Sequence, residues 1–326
     1  MKKIIAFAVR KDELSAFEKY SKEFNFSIKL EEKSLNPETV ELCKGYDGVT
    51  FLGNCSVNRE VLEKLNSFKI KYIASRSTGY NNVDLKAAKE LGIYVSNSTY
   101  SSYSVAEFAV MSAFILLRNI PQSLKRVEKY NFSLGGLIGR ELRNQTIGII
   151  GTGKIGRIVA HHFKAMGAKV IAYDLYPSSD EIQYVSLEEL FTQSDIISLH
   201  TPLTPENHHL INKETIDKMK NDVLIINSAR GELINLEDLI VGLKSKKIAG
   251  VALDTLEKEV GILHKDCSNI GFEHPQLKEL LNMENVMITS HQAFYTDQAV
   301  SDMVESALTC LNEYFLSGNS KNNLIK

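Results

Sequence analysis

The sequence predicts an α/β protein of two doubly wound domains, one of them assembled from both ends of the chain. Short β-branched or apolar runs alternate with longer amphipathic stretches along almost all 326 residues, which is the pattern of βαβ units around parallel sheets. These runs are too many for one small sheet. The last strong helical pattern, at residues 299–315, follows the final strand and is expected to return to the first domain. We therefore predict one domain from residues 1–99 and 300–326 and a second from residues 100–299.

The individual elements follow from the periodicity of the apolar residues. Strands are predicted at residues 3–9, 48–51, 72–74, 93–96, 146–150, 169–173, 195–199, 223–227, 250–253 and 286–289. Helices between them are predicted at residues 13–24, 59–65, 85–91, 157–166 and 214–219, among others. Apolar residues also recur on overlapping faces throughout residues 104–127. That stretch predicts one long helix connecting the two sheets.

Composition and charge exclude several classes of protein. Hydrophobic residues make up 44% and charged residues 24% of the chain, unlike the composition of disordered or fibrous proteins. The 38 Lys and Arg nearly balance the 40 Asp and Glu, and the net charge is −2. No bulk charge would draw the molecule to nucleic acid or to an acidic membrane. We expect a small-molecule substrate and neither of those partners.

Cysteine spacing and apolar run lengths predict a cytoplasmic protein. The cysteines lack the short paired spacings of zinc sites and disulfide frameworks, so we expect reduced thiols and no metal site; they are Cys43, Cys55, Cys267 and Cys310. The apolar run at residues 4–9 is too short for a signal sequence. The longest apolar run, residues 108–117, has about half the length that spans a bilayer. It is interpreted as a buried helix.

A glycine-rich turn predicts a nucleotide site. The segment Gly151-Thr152-Gly153-Lys154-Ile155-Gly156 lies between a predicted strand and a predicted helix. There, glycines permit a tight turn and close approach of a pyrophosphate to the amides of the helix N-terminus. Asp174 ends the next strand, where a carboxylate accepts hydrogen bonds from ribose hydroxyls and repels a 2′-phosphate. NAD is therefore preferred to NADP. The alternative is a glycine turn of another α/β fold, with Asp174 as a strand-end residue.

Three polar residues follow predicted strands downstream of this turn, at the sheet edge where α/β proteins bind ligands. Arg230 would present a guanidinium fork to a carboxylate or carbonyl oxygen. His291 would serve as a proton donor, and Glu259 would tune it. Each residue also has an ordinary explanation: a surface ion pair for the arginine, a structural role for the histidine and a solvated charge for the glutamate. Their joint occurrence after the nucleotide motif favours a nicotinamide enzyme acting on a carbonyl.

Several spaced motifs resemble those of the D-2-hydroxyacid dehydrogenases, and of the D-lactate dehydrogenase branch in particular, including its aryl-lactate (phenyllactate) and vancomycin-resistance members. The resemblance covers nearly the whole chain. Its motifs are the glycine turn with Asp174, His200-Thr201-Pro202-Leu203, Asn227-Ser228-Ala229-Arg230-Gly231, Ala252-Leu253-Asp254 through Glu259, and Ser290-His291-Gln292-Ala293-Phe294-Tyr295.

The resemblance implies a Rossmann NAD-binding domain and a discontinuous flavodoxin-like substrate domain. Arg230 would bind the substrate carboxylate and polarise its carbonyl group. His291 would be the general acid in reduction and the general base in oxidation. Glu259 would hydrogen-bond the imidazole, orient it and favour its protonated form. The implied chemistry is hydride transfer between NAD(H) and a 2-oxo acid.

The same resemblance implies the residues that bind the cofactor and the substrate. Asp254 would help to seat the nicotinamide carboxamide, Thr78 and Gly79 would lie in a loop whose amides receive the carboxylate, Tyr100 would face the substrate, and Phe294 would wall the side-chain pocket. The implied cofactor-binding set is Gly151, Gly153, Lys154, Ile155, Gly156, Asp174, His200, Thr201, Pro202, Ser228, Ala229 and Asp254.

The sequence specifies the substrate less closely than it specifies the cofactor. Residues 131–139 are most like the aryl-lactate enzymes, whereas the proline-free segment 97–103 matches no branch well. Pyruvate is the expected 2-oxo acid, and an aromatic or branched one is the alternative. Two further alternatives share the fold: an NAD(H)-sensing binding protein of corepressor type, and formate dehydrogenase, which has glutamine where this chain has Glu259. A homodimer through the NAD domain, involving the helix at residues 104–127, is implied.

Overall fold

The computed structural model describes residues 1–259 and 261–325. The chain divides into two compact units, Met1–Ser101 with Tyr295–Lys326, and Ser102–Phe294. The predicted division lies between residues 99 and 100 and between residues 299 and 300. The observed first unit extends to Ser101 because the backbone N–H of Ser101 donates to Asp302 Oδ2 at 2.8 Å. Thr99 likewise donates to Ser306 Oγ at 3.1 Å.

All strands are parallel to their neighbours. In chain order they are β1 (Lys2–Ala6), β2 (Phe26–Leu30), β3 (Gly48–Phe51), β4 (Tyr72–Ser75), β5 (Tyr94–Ser96), β6 (Thr146–Ile150), β7 (Lys169–Tyr173), β8 (Gln183–Tyr184), β9 (Ile196–Leu199), β10 (Val223–Asn227), β11 (Ile248–Leu253) and β12 (Val286–Ile288). The helices are α1 (Leu14–Glu23), α2 (Arg59–Ser67), α3 (Leu85–Leu91), α4 (Tyr103–Leu117), α5 (Ile120–Val127), α6 (Lys154–Ala165), α7 (Leu187–Gln193), α8 (Lys213–Lys218), α9 (Leu236–Lys244), α10 (Pro275–Leu281) and α11 (Asp297–Ser317).

The first unit has a five-stranded sheet in the order β2-β1-β3-β4-β5, which is the flavodoxin-like order. Successive side chains of a strand face opposite sides of its sheet. Ile4 accordingly packs with Phe17 of α1 and Leu308 of α11. Ile5 belongs to the other cluster, with Leu62 of α2. Because both faces are covered, β1 is a continuous apolar run, as buried parallel strands are.

A buried ion pair fixes two loops of the first unit. Arg76 directly follows β4, and its Nε donates to Glu13 Oε1 at 2.8 Å, with both side chains fully buried. Arg76 Nη2 also donates to the Phe7 carbonyl oxygen at 2.8 Å. The other carboxylate oxygen of Glu13 accepts from the backbone N–H of Arg10 at 2.9 Å. Glu13 therefore ties the loop after β1 to the residues that lead into Thr78.

The second unit has a seven-stranded sheet in the order β12-β11-β10-β9-β6-β7-β8. Its first three strands in sequence lie side by side, and the order reverses between β6 and β9, as in Rossmann folds. The carboxyl ends of all these strands share one edge of the sheet. Ligands of such sheets bind at this edge, next to the switch point. The glycine turn follows β6, and Ser228 follows β10, on either side of β9.

The prediction of one long helix at residues 104–127 is wrong. α4 ends at Leu117 and α5 begins at Ile120, with an angle of 63° between them. Asn119 causes the break, because its φ of +51° is left-handed and cannot continue a helix. Its side-chain amide donates to the Ile138 carbonyl oxygen at 3.0 Å. α4 is largely buried, through Ala106, Ala109 and Ala113 among others.

Among the helices of residues 1–259 and 261–325, none is by itself long and apolar enough to cross a bilayer, and only the bent pair α4 and α5 meets that criterion together.

Candidate active site

The glycines of the turn after β6 have two different roles: two of them allow the chain to pack, and one leaves space for a ligand. Gly151 has a φ of +93°, and a Cβ there would lie 2.7 Å from the carbonyl of His200. A Cβ on Gly156 would lie 1.9 Å from the Gly151 carbonyl oxygen, so these two glycines are required by the packing of the chain itself. A Cβ on Gly153, at the start of α6, would meet no atom within 4 Å. The space above Gly153 leaves the first amides of α6 accessible, as a pyrophosphate requires.

Asp174 closes the turn from the end of β7. Its Oδ2 accepts from the backbone N–H of Thr152 at 2.6 Å and from the Thr152 hydroxyl at 3.0 Å, and its Oδ1 accepts from Tyr176 N–H at 2.8 Å. Burial alone raises the pKa of Asp174, but these hydrogen bonds outweigh it and lower the pKa. The group is therefore a carboxylate at neutral pH. Oδ1, which accepts only one of these bonds, retains a site that suits a ribose hydroxyl.

Ser228 carries a buried hydroxyl at the ligand-binding edge of the second sheet. Its Oγ is buried and has no hydrogen-bond partner within the described part of the chain. Such orphaned hydroxyls are uncommon in native structures. Ser228 directly follows β10 at the ligand-binding edge. Together with the open space above Gly153 and the free acceptor capacity of Asp174, this fits a bound dinucleotide.

His200 follows β9 and packs against the glycine turn. Its Nε2 lies 2.8 Å from Ser198 Oγ. Burial lowers the pKa of the ring to about 4. The imidazole is therefore neutral at physiological pH. The backbone carbonyl of His200 lies against Gly151, and its Cβ lies against Gly156.

The pH dependence of stability is expected to report on His200. Between its ordinary pKa of 6.5 and its folded pKa of about 4, the unfolded chain binds a proton that the folded chain does not. The free energy of unfolding should thus fall by up to about 3 kcal/mol as the pH drops through this window. Above pH 6.5 the ring is neutral in both the folded and the unfolded chain, so His200 adds no further pH dependence. His200→Asn should flatten this dependence. Denaturant midpoints at pH 7.0 and 4.5 measure it, and an equal fall in both proteins would contradict the prediction.

Arg230 is presented by a closely packed loop after β10. Asn227 shapes the loop, accepting from Ala229 N–H at 3.0 Å and donating to the Arg230 carbonyl oxygen at 2.7 Å. A Cβ on Gly231 would lie 1.9 Å from the carbonyl carbon of Leu256. The Arg230 loop can therefore lie against the segment that leads to Glu259 only because residue 231 is glycine. Gly231 was predicted only as part of the motif around Arg230 and was given no role, although its position next to the candidate arginine was a usable signal.

His291 and Glu259 form a direct pair. His291 Nδ1 lies 2.7 Å from Glu259 Oε1, and both side chains are partly buried. Glu259 Oε2 accepts from the Leu256 backbone N–H at 3.1 Å. His291 has a φ of +54°, a conformation that is uncommon for a residue other than glycine. The carboxylate fixes the ring through Nδ1, which leaves Nε2 for a reacting group.

Asp254 anchors the loop that carries His291. Its Oδ1 accepts from the Thr289 hydroxyl at 2.6 Å and from Gln292 N–H at 2.8 Å, and its Oδ2 accepts from Ala293 N–H at 2.8 Å. The residue is 4% exposed. Asp254 was predicted to seat a nicotinamide carboxamide. The contacts within the chain show in addition that it holds the backbone beside His291.

The predicted substrate-binding residues belong to different units. Thr78, Gly79 and Tyr100 lie in the first unit, and Phe294 is the last residue of the second. Thr78 Oγ1 donates to the Ser98 carbonyl oxygen at 3.0 Å, and the Gly79 carbonyl oxygen accepts from Ser77 Oγ at 2.8 Å. These bonds shape the loop after β4 from within the first unit.

Comparison with known proteins identifies the family. Residues 110–293 match the family described as D-isomer specific 2-hydroxyacid dehydrogenase, NAD binding domain. The chain belongs to this family. It is therefore an NAD-dependent oxidoreductase that acts on the CH–OH group of D-2-hydroxy acids. The predictions of family, α/β fold, enzyme class and NAD as cofactor are confirmed.

Individual relatives cover the whole length of this dehydrogenase. An aromatic 2-oxoacid reductase of Clostridium sporogenes is 50% identical over 98% of both chains. A D-lactate dehydrogenase of Lactiplantibacillus plantarum is 40% identical, again over 98% of both. Among solved structures, a D-2-hydroxyisocaproate dehydrogenase has a TM-score of 0.93 at 38% identity, covering 99% of this chain and 100% of that one. The resemblance to the D-lactate dehydrogenase branch is thus confirmed at the level of the family.

Proposed function

We propose that this dehydrogenase reduces 2-oxo acids with an aromatic side chain to the D-2-hydroxy acids. The observation that carries the proposal is the 50% identity to an aromatic 2-oxoacid reductase, compared with 40% to a D-lactate dehydrogenase. The aryl-lactate-like segment at residues 131–139 supports it. Pyruvate, which the sequence analysis favoured, becomes the comparison substrate.

The roles proposed for the side chains are those that the family resemblance implies, and the contact between His291 and Glu259 supports them. Bound NADH supplies the hydride. Arg230 offers two parallel N–H donors to the substrate carboxylate and polarises the neighbouring carbonyl. His291 gives the proton from Nε2 to the carbonyl oxygen, because its Nδ1 is engaged by Glu259 at 2.7 Å. Glu259 keeps the ring in that orientation.

The proposed cofactor site uses the ends of β6, β7, β9, β10 and β11. The amides after Gly153 would hold the pyrophosphate, Asp174 the adenosine ribose, and Ser228 Oγ a polar group of the nicotinamide half. Asp254 stays the proposed support of the carboxamide region. The remaining members of this set, whose contacts we also propose, are Gly151, Lys154, Ile155, Gly156, His200, Thr201, Pro202 and Ala229.

Substrate preference is tested by kcat/KM with NADH over pyruvate, 2-oxoisocaproate and phenylpyruvate. We expect phenylpyruvate to exceed pyruvate by at least about tenfold in kcat/KM, since a benzyl side chain buries several more apolar carbon atoms than a methyl group and each methylene-sized group contributes about 0.8 kcal/mol, roughly fourfold. NADPH should replace NADH poorly, because Asp174 repels a 2′-phosphate. A preference for pyruvate would contradict the proposal. If the protein turned over none of these 2-oxo acids but bound a partner protein, the corepressor alternative would be favoured.

We also propose a homodimer through the second unit. α5 and the segment after it expose large apolar side chains: Leu124 by 60%, Phe132 by 72%, Leu134 by 83% and Ile138 by 91%. Clustered exposure of this kind is typical of an interaction surface. Leu134→Asp with Ile138→Asp should convert the dimer to a monomer in analytical ultracentrifugation. A wild-type monomer at micromolar concentration would contradict the proposal.

The compartment and the substrate-binding residues also stay proposals. All four cysteines are free thiols, which supports a reducing, cytoplasmic location. We propose that the first unit binds substrate through Thr78, Gly79 and Tyr100, and that Phe294 contacts the side chain of the substrate. Phe294→Ala should raise KM for phenylpyruvate more than for pyruvate, and an equal effect on both would contradict its role.

A further inference from the structure

A second histidine contacts the proposed acid–base residue. His264 lies in the segment between Glu259 and α10, and its side chain is exposed. Its Nε2 is 3.2 Å from the backbone carbonyl oxygen of His291, and because a carbonyl only accepts, Nε2 is the donor. The two imidazole rings meet edge to face at 6.3 Å between centroids. The ring of His264 also lies 6.2 Å from the ring of Phe294.

The hydrogen bond from His264 is made to a residue, His291, whose backbone conformation is unfavourable. A non-glycine residue at a φ of +54° is held there by its surroundings, because the conformation costs free energy. Asp254 holds the amides of Gln292 and Ala293, which follow His291. Glu259 holds the imidazole ring. The hydrogen bond from His264 holds a further polar group, the carbonyl oxygen of His291 itself.

We propose that His264 is a positioning residue with two separable actions. Its N–H donor fixes the backbone of His291 and hence the direction of Nε2 towards the substrate carbonyl. Its ring packs beside Phe294 and fixes the wall of the side-chain pocket. This inference rests on the proposed roles of His291 and Phe294. Neither action involves contact between His264 and the reacting atoms.

Two substitutions separate these actions. His264→Phe keeps an aromatic ring beside Phe294 but removes the donor. His264→Gln keeps an N–H donor but removes the ring. Because the side chain is exposed, neither substitution opens a cavity in the core. Lys265→Gln, at the next exposed position of the same segment, is the matched control.

The expected results differ between kcat and KM. His264→Phe should lower kcat by about three- to tenfold on both pyruvate and phenylpyruvate, the usual effect of losing one hydrogen bond, with KM nearly unchanged. His264→Gln should keep kcat within about twofold and raise KM for phenylpyruvate, but not for pyruvate, by about threefold. The dissociation constant of NADH and the melting temperature should match those of Lys265→Gln in both variants.

The outcomes that overturn the inference are distinct from those that overturn the proposed function. A kcat of His264→Phe within twofold of the parent, or equal losses of kcat in the phenylalanine and glutamine variants, would refute the role of the donor. His291→Asn is measured in parallel. If that variant is inactive while His264→Phe is unaffected, only the inference fails. If His291→Asn is active, the assignment of His291 fails and the inference with it.

Discussion

His291→Asn is expected to lower kcat for 2-oxo acid reduction by about 10²- to 10⁴-fold while leaving the dissociation constant of NADH nearly unchanged. The asparagine side chain is polar and of similar length, so it can still meet Glu259 Oε1, which lies 2.7 Å from His291 Nδ1. It cannot deliver a proton at the position of Nε2. The loss should therefore fall on the chemical step.

The measurement is single-turnover oxidation of NADH by phenylpyruvate, with cofactor binding followed separately by fluorescence. His161→Asn, an exposed histidine on α6, is the matched control and should keep the parental rate. Glu259→Gln should lose less than His291→Asn, since the proton donor remains and only its orientation and charge stabilisation suffer. A rate of His291→Asn within tenfold of the parent would refute the assigned role.

Glu13→Gln is expected to destabilise the first unit by about 3–5 kcal/mol, because it leaves the fully buried guanidinium of Arg76 without its counter-charge. Glutamine has nearly the volume of glutamate, so little of the effect comes from packing. The loop after β4 should loosen as well, since Arg76 is two residues from Thr78. Activity of the folded fraction should therefore fall through a higher KM for the 2-oxo acid.

Urea unfolding, followed for each unit by hydrogen exchange, measures this effect. The control is Glu90→Gln, which removes an equally short ion pair with Arg59 at the surface, where both side chains are about half exposed. That change should cost about 1 kcal/mol or less. A loss in Glu13→Gln no larger than in Glu90→Gln would show that the burial of the Arg76 pair carries no energetic weight.

The strands that could be predicted from the sequence are those formed by continuous apolar runs. Strands such as β3, β6, β7 and β10 were predicted with the observed bounds, because a strand buried on both faces needs an unbroken apolar stretch. β2 lacks an unbroken apolar stretch and was missed, although the alternation in Phe26-Ser27-Ile28-Lys29-Leu30 was a usable signal for a strand at a sheet edge. β8, with two residues, is too short to show any period.

Local backbone conformation was the least accessible to sequence reasoning. The apolar period continues across Asn119 and does not mark the left-handed residue that separates α4 from α5, but Pro121 in the first turn of α5 was a usable signal for a break there. The residues of the site were recognisable from their chemistry at strand ends. The contacts that hold these residues in place were not recognisable, because they join loops that meet only in the folded chain. They are the bonds from Asp254 to the His291 loop, the close approach at Gly231 and the contact of His264 with His291.

The discontinuous first unit also sets an order for folding during synthesis. The second unit is encoded by one uninterrupted segment, Ser102–Phe294, and can fold once that segment has left the ribosome. In the first unit, Ile4, Ala6 and Phe17 pack against Val304 and Leu308 of α11, which is translated nearly 300 residues later. One apolar face of the β1–β5 sheet therefore stays uncovered by α11 until translation is almost complete. Limited proteolysis of a released chain truncated after Phe294 should find the second unit protected and the first still open to cleavage.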